Sequence, residues 1–485
     1  MVKVLVERRS LAPGGRMTAL SERQIQIVRT LVEQAPDHVV GGLSQALSGA
    51  APDASPDDAS GNALGGVRRL VEAEVADRTL RNAILQPMIA MCGPPPDDRV
   101  LAFPARALAA TWRGLKASEP DLIERLQAAE VLELSCHHIA DAQDRLARAA
   151  AAGVRARGNP DYAAASEACD AARAGGADLF ARCLDITPVV RRALPRLPEW
   201  ITHTGKETAA NARIAYRDAV AVADDAGPIF FHMLAGQLAQ RWMVMRLISA
   251  VMDKPTERYL RDSELAGFCE GLLDEIDQAL ATIATLRSDQ GRAAAGTAAR
   301  VVDLTVQRIL EIETNVEMPR DHGWGKRLAK QRAALAGLVE ARMREAEHCA
   351  REALPLHTPR SHKAGGQKAR GQAPQLSEPP QPDAVERALT LLTFVDGLNL
   401  SSNYGGFSAA RNKAVEALGE FLERYVDSVL DLVRTQDVDD MDHAAAFLEI
   451  AAQFSCLIRG EKTGELVRRR AHATLNPDLS HACEA

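Results

Sequence analysis

Apolar residues in the middle of the chain recur with the period of an α-helix, and this pattern limits the fold more than any other feature. Steps of four, four, four, three and seven residues separate Phe230, Leu234, Leu238, Trp242, Met245 and Met252. A second row with similar spacing runs over Leu265, Phe268, Leu272, Ile276, Leu280, Ile283 and Leu286. Because each row forms one apolar face of a helix, we predict long helices over 228–252 and 256–290, joined by a short turn into an antiparallel hairpin.

The composition favours helices throughout the chain. Hydrophobic residues make up 46% of the sequence but aromatic residues only 4%, and alanine and leucine dominate. These two residues are strong helix formers, whereas strands prefer β-branched and aromatic residues. We therefore predict an all-α fold, a multi-helix array with long antiparallel helices and a C-terminal helical bundle. Further helices are predicted over 120–155, 160–185, 206–226, 296–317 and 324–354.

Breaks in the helical pattern divide the chain into segments. At 485 residues the sequence is longer than one ordinary domain. Three consecutive prolines before Asp97, followed by Pro104, separate an N-terminal helical subdomain, 17–105, from a central long-helix domain, 106–354. Residues 1–16 precede a clear helix start, and whether they belong to the native protein is left open.

A polar segment follows the central domain. Residues 355–384 are rich in Pro, Gly, Gln and Ser, and Leu356 and Leu376 are their only large apolar residues. Such a composition buries too little apolar surface to offset the entropy of ordering, so we predict a disordered linker. Helical patterning returns over 385–472, where about 90 residues suffice for a small C-terminal helical bundle.

Charge and cysteine usage limit the classes of partner and compartment. The net charge is -7, so a polyanionic partner requires a local basic patch. The linker has four basic residues between His357 and Ser377 but no aromatic residue for base stacking, which favours a solubilising tether over nucleic-acid binding. The most apolar stretch contains Arg241 and Arg246, so no membrane span is expected. Eight cysteines without a CxxC pair suit a reducing compartment, and we expect a cytoplasmic protein.

Two helices have residues with metal-ligand chemistry. Glu133, His137 and Asp141 stand four residues apart, on one face of the predicted 120–155 helix. They are candidate metal ligands, although one helix cannot surround a cation; the alternative is a solvated acid–histidine pair. Glu345 and His348 form one Glu-x-x-His step, which di-iron bundles use twice. No second step occurs, although Asp440 and His443 are an acidic near-analogue, so a solvent-facing pair is the alternative.

A loop before the last helices is a candidate anion site. Residues 399–408 are turn formers, and Ser408 is a natural helix N-cap with Arg411 and Lys413 in the following turns. Exposed backbone amides at a helix N-terminus, together with two cations, suit a phosphate or carboxylate. The alternative is a plain connector. Likewise, Asp321–Lys326 places a histidine and a tryptophan in a turn that either caps a helix or binds a ligand.

These features favour a binding protein over an enzyme. The sequence has no zinc-protease, nucleophile-elbow, dinucleotide or kinase motif. We therefore predict a non-enzymatic cytoplasmic helical protein-interaction or scaffold protein, with a protein partner and no cofactor. The alternative hypothesis is a helix-bundle enzyme with a metal or anionic-substrate site among the central helices. The oligomeric state is left open.

Overall fold

The computed structural model confirms the all-α prediction. It describes residues 21–35, 37–49, 63–93, 101–129, 134–203, 205–223, 225–357, 372–398 and 402–475. Over these ranges the fold is a multi-helix array with a single pair of two-residue strands. None of the helices in the described ranges combines the length and apolarity that crossing a bilayer requires.

The chain forms two compact units. The first comprises Met1–His203 and Asn211–Arg241, and the second comprises Thr204–Ala210 and Trp242–Ala485, as far as these are described. The division between the units lies inside the segment that the sequence assigns to one central domain. The boundaries predicted near residues 105, 354 and 384 stay predictions.

In the first unit, helix α8 is surrounded by other helices and forms the centre of the core. It packs against α3, α6, α7 and α11, and its residues Phe180, Cys183 and Leu184 are completely buried. The helices of this unit are α1 (Glu22–Gln34), α2 (Asp37–Gly49), α3 (Ala63–Ile89), α4 (Ala105–Ser118), α5 (Pro120–Gln127), α6 (Cys136–Ala156), α7 (Pro160–Ala172), α8 (Gly176–Ala193), α9 (Leu197–Thr202) and α11 (Ala226–Ala235), with a 3₁₀ turn at Leu194–Arg196. Helix α10 (Lys206–Val220) begins in the second unit and continues in the first.

Two of the predicted helices in this unit are interrupted. The predicted helix 120–155 is wrong because α5 ends at Gln127 and α6 begins after Ser135, whose side chain accepts a hydrogen bond from the His138 amide. The predicted helix 160–185 is interrupted at Gly175, which has a φ of 70° and stands just before α8. This left-handed conformation is accessible to glycine and ends the regular helix.

The predicted hairpin of two long helices is also wrong. Helix α11 ends at Ala235, a 3₁₀ turn covers Arg241–Met243, and α12 covers only Val244–Val251. At the break, the Gln237 side chain donates a hydrogen bond to the Pro87 carbonyl at 3.1 Å. The apolar row continues through the break, so Phe230 is buried in the first unit and Trp242 in the second.

The second unit includes the C-terminal bundle. Helix α17 packs against α15 and α16, and α20 packs against α19 and α21. Its elements are α12 (Val244–Val251), α13 (Glu257–Arg261), α14 (Ala266–Ala284), α15 (Arg292–Asn315), α16 (Gly323–Ala353), β1 (Leu356–His357), β2 (Ala373–Pro374), α17 (Pro382–Gly397), α18 (Ser402–Gly405), α19 (Ser408–Arg434), α20 (Met441–Arg459) and α21 (Glu461–Leu475), with a 3₁₀ turn at Ser288–Gln290.

Both ends of the predicted disordered linker are ordered. Strand β1 pairs antiparallel with β2, Leu376 is buried, and α17 already begins at Pro382. Leu356 and Leu376 supply the apolar anchors that the rest of the segment lacks, which explains why order extends this far. Residues 358–371 lie outside the described ranges, and disorder there stays a prediction.

Candidate functional site

The first predicted metal group is at the surface of α6. The His137 Nε2 and Asp141 Oδ2 atoms are 3.4 Å apart, and these side chains are 83% and 59% exposed. Glu133, the third predicted ligand, lies outside the described residues. The two described residues therefore form an exposed i,i+4 acid–histidine pair.

The second predicted metal group has partners of its own on α16. Glu345 accepts an ion-paired hydrogen bond from Arg342, and the His348 Nε2 atom is 3.4 Å from Glu352. The near-analogue on α20 caps its helix, because the Asp440 carboxylate accepts hydrogen bonds from the backbone amides of Asp442 and His443. Within the described ranges, three or more potential metal ligands do not come together at any point.

The predicted anion-binding residues lie in the first two turns of α19, and Lys413 is on a different side of the helix from Arg411. Ser408 begins α19, but Phe407 occupies the N-cap position and the Ser408 hydroxyl donates to Asn403 Oδ1 at 3.3 Å. Arg411 is half-buried and lies within electrostatic range of Asp396 on α17, where it counteracts the rise that burial causes in the pKa of this carboxyl. Lys413 is exposed, about 200° further around the helix than Arg411.

The turn at Asp321–Lys326 begins α16, as its capping interpretation predicts. The buried Glu257 carboxylate accepts hydrogen bonds from the amides of Trp324 at 2.8 Å and Gly325 at 3.3 Å. Gly323 has a φ of 58°, and a Cβ atom there would clash with Glu257 Oε1. The site is therefore a helix N-terminus already occupied by a carboxylate of the same chain.

Sequence reasoning did not reveal a cluster of three thiols in the first unit. Cys92 lies within electrostatic range of Cys169, and Cys183 lies within range of both. Burial raises the pKa of all three, that of Cys169 to about 12. The thiol forms of these cysteines are therefore favoured at neutral pH, and Cys169 and Cys183 are buried.

The N-terminal helices α1, α2 and α3 enclose a small apolar core. Val32 of α1, Val40 of α2 and Val71 of α3 are buried against one another. The end of α1 is joined to α3 by Arg78, which is 7% exposed and donates hydrogen bonds to the carbonyls of Val32 and Ala35 at 2.8 Å each. The Val32 carbonyl also accepts a hydrogen bond from the Ala35 amide at 3.2 Å. Both carbonyls belong to the last turn of α1 and its C-cap, so the guanidinium acts as a C-terminal cap supplied by another helix.

Four large apolar residues of the same helices face solvent. Ile27 and Leu31 of α1 are 52% and 59% exposed, and Val39 and Leu43 of α2 are 45% and 38% exposed. Within each helix the two residues are four positions apart, so each pair forms a short row along the helix surface. We refer to these two rows, one on each helix, as the α1–α2 face.

Helix α2 was not predicted from the sequence, although a signal for it is present. Val40, Ser44 and Leu47 have helical spacing and are the more buried positions of α2. The glycines at positions 41 and 42 weaken this signal, because glycine is a poor helix former.

The α1–α2 face exposes four large apolar side chains on two helices. Large apolar side chains at i and i+4 on one helix suit the packing of an incoming helix. Comparison of the chain with models of known protein families, with curated proteins and with solved structures finds no match.

Proposed function

We propose that the protein is a non-enzymatic, cytoplasmic helical interaction protein, and that the α1–α2 face binds an amphipathic helix of a protein partner. The observation that carries the proposal is the exposure of Ile27, Leu31, Val39 and Leu43 on helices whose other sides are buried on α3. Each helix therefore has apolar residues on two sides, one buried in the core with α3 and one exposed to solvent.

The size of the exposed side chains supports an energetic role in binding. Covering an aliphatic side chain that is about half exposed contributes on the order of 1 kcal/mol, so the four residues contribute about 4 kcal/mol before the entropic cost of association. The paired i,i+4 rows fit a partner helix that lies along or across α1 and α2. The described candidate metal residues have side-chain partners on their own helices, which favours a binding function over a metal enzyme.

The test compares two pairs of substitutions on α1. Ile27→Asp with Leu31→Asp places charges on the α1–α2 face, whereas Gln26→Asp with Thr30→Asp places them at exposed polar positions with the same spacing. Because both pairs add two aspartates to one helix, their cost in helix propensity is similar. Circular dichroism verifies that each variant is folded.

Binding is measured by capture from native lysate, with cross-links between the bait and its partner located by mass spectrometry. We expect a partner that is cross-linked to α1 or α2, is retained by the Gln26/Thr30 variant and is lost from the Ile27/Leu31 variant. Equal capture by both variants would overturn the proposal. Light scattering provides a second check, because loss of a homodimer in the Ile27/Leu31 variant would assign the face to self-association instead.

A further inference from the structure

A cleft in the second unit has an unsatisfied polar group in its wall. The cleft has a volume of about 770 Å³, within the range of small-molecule sites, and lies between the end of α16, strand β1 and helix α19. Its lining includes the apolar or aromatic residues Leu354, Phe421 and Tyr425 and the charged residues Arg351, Arg424, Asp427 and Asp431.

Tyr425 is the group without a partner. Its side chain is 1% exposed, and among the described residues its hydroxyl has no hydrogen-bond partner. Its ring is fixed between Phe421 and Phe447, with centroids at 6.1 and 6.5 Å. Buried polar groups in proteins are almost always hydrogen-bonded, so an orphaned hydroxyl beside a cleft indicates a place for a ligand acceptor. Burial also raises the pKa of Tyr425, which keeps the hydroxyl protonated and able to donate.

The charges around the cleft favour an anionic ligand group. Each carboxylate already has a cation, because Asp427 is 2.6 Å from Arg470 and Asp431 is 3.0 Å from Arg434. The Arg424 guanidinium, in contrast, donates only to the Glu420 carbonyl at 3.1 Å and has no carboxylate partner among the described residues.

A second guanidinium lies beside the apolar wall. Arg351 is stacked over the Phe421 ring at 5.4 Å and is 3.5 Å from Glu347, an ion pair in which the arginine side chain remains 50% exposed. Such an exposed ion pair contributes little to stability, so Arg351 can readily exchange Glu347 for a ligand carboxylate. The cleft therefore combines an apolar wall with a positive charge that its own acids do not neutralise.

We propose that this cleft binds a small amphiphilic carboxylate. The apolar body of the ligand packs against Leu354 and Phe421, and its carboxylate accepts hydrogen bonds from the Tyr425 hydroxyl and the Arg424 guanidinium. A carboxylate suits this pair because its two oxygens accept several hydrogen bonds at once. The cleft is in a different unit from the α1–α2 face, so each proposal can be refuted without affecting the other.

The test measures the binding of three ligands that have the same eight-carbon chain and different head groups. Sodium octanoate, octylammonium chloride and 1-octanol are titrated into the full-length protein by calorimetry, and 3-phenylpropionate provides a carboxylate with an aromatic body. We expect the two carboxylates to bind and to do so at least about tenfold more tightly than octylammonium or octanol, since hydrogen bonds to a charged group are the stronger kind.

Two substitutions locate the bound carboxylate. Tyr425→Phe removes only the hydroxyl and leaves no new unsatisfied atom, so it retains the fold; we expect it to weaken octanoate binding about tenfold. Arg424→Gln is expected to weaken octanoate binding by a similar factor and to leave octanol binding unchanged. The matched controls are Tyr404→Phe and Arg469→Gln, both at exposed positions, and neither is expected to change octanoate affinity.

Three results would overturn the proposal. They are octylammonium binding as tightly as octanoate, octanoate affinity unchanged by both Tyr425→Phe and Arg424→Gln, or no binding of either carboxylate up to about 10 mM.

Discussion

Replacement of Trp242 by alanine should remove several kcal/mol of stability from the second unit. The indole is 7% exposed, and the Arg308 guanidinium lies over its ring with the guanidinium carbon 4.5 Å from the ring centroid. Arg308 is otherwise ion-paired with Glu275, whose Oε2 atom is 3.1 Å from the Arg308 Nε atom. The indole therefore fills space and also faces a partly buried cation.

The magnitude follows from these two roles. Truncating a buried tryptophan to alanine costs about 3–5 kcal/mol, and the loss of the cation–π contact adds about 1 kcal/mol. We therefore expect Trp242→Ala to lower the free energy of unfolding by about 4–6 kcal/mol. Trp242→Phe keeps an aromatic face beneath Arg308 and much of the volume, so its cost should be about 1–2 kcal/mol.

Hydrogen exchange under native conditions measures this loss in the second unit directly. The unfolding free energy is taken from the slowest amides of α14 and α15, with Leu310→Ala as the control because Leu310 is an apolar residue of α15 that is 40% exposed. The Leu310→Ala control should change the unfolding free energy by less than about 1 kcal/mol. A cost below about 2 kcal/mol for Trp242→Ala, or equal costs for the alanine and phenylalanine variants, would refute the packing described for Trp242.

Three further predictions concern ionisable side chains. Burial, followed by the charges of Arg173 and Arg241, lowers the pKa of His232 to about 4, so the unfolded chain binds a proton below about pH 6.5 that the folded chain does not bind. Stability should therefore fall by up to about 3 kcal/mol between pH 6.5 and pH 4, and urea titrations of His232→Gln should show a smaller fall; an equal fall would exclude this histidine as the cause. Glu257→Gln should cost about 1–3 kcal/mol in urea unfolding because its amide nitrogen faces a backbone donor of α16, and an unchanged midpoint would contradict this cap. His137→Ala and His348→Ala should each change stability by less than about 0.5 kcal/mol, whereas release of bound metal by either variant, detected by elemental analysis, would restore the metal hypothesis.

Helical periodicity predicted those parts of the fold in which local pattern and tertiary packing agree. In α17 and its C-cap, the residues Leu389, Leu392, Val395 and Leu398 repeat at helical spacing, and all four are buried. The row along α14 behaves similarly, with Leu272, Ile276 and Ile283 buried. In both cases one continuous apolar face is buried on one side of a single helix, so the pattern is sufficient to predict the element.

The breaks and the sites depend on contacts between distant residues, which periodicity does not contain. The apolar row from Phe230 to Met252 spans two helices in different units, and the break coincides with a hydrogen bond between Gln237 and Pro87. Glu257 caps a helix that begins 66 residues later, at Gly323. Tyr425 is recognisable as an orphaned donor only when its surroundings are known.

Candidate metal and anion residues were chosen from residue types at helical spacing, and this criterion does not distinguish a ligand set from a solvated face. His137 and Asp141 lie on one stripe of α6 as predicted, but no other described element adds a third ligand. A site needs side chains that converge from several elements, whereas an i,i+4 pair is a neighbour relation within one helix.

The most direct test of the proposed function is hydrogen exchange of the captured complex. Exchange of amides in α1 and α2 is compared between the free protein and the protein bound to its partner, with α16 as an internal reference. If the α1–α2 face binds a partner helix, exchange slows in peptides that contain Ile27, Leu31, Val39 and Leu43 and is unchanged in α16. Protection confined to other helices, with α1 and α2 exchanging as in the free protein, would contradict the assignment of this face as the partner-binding surface.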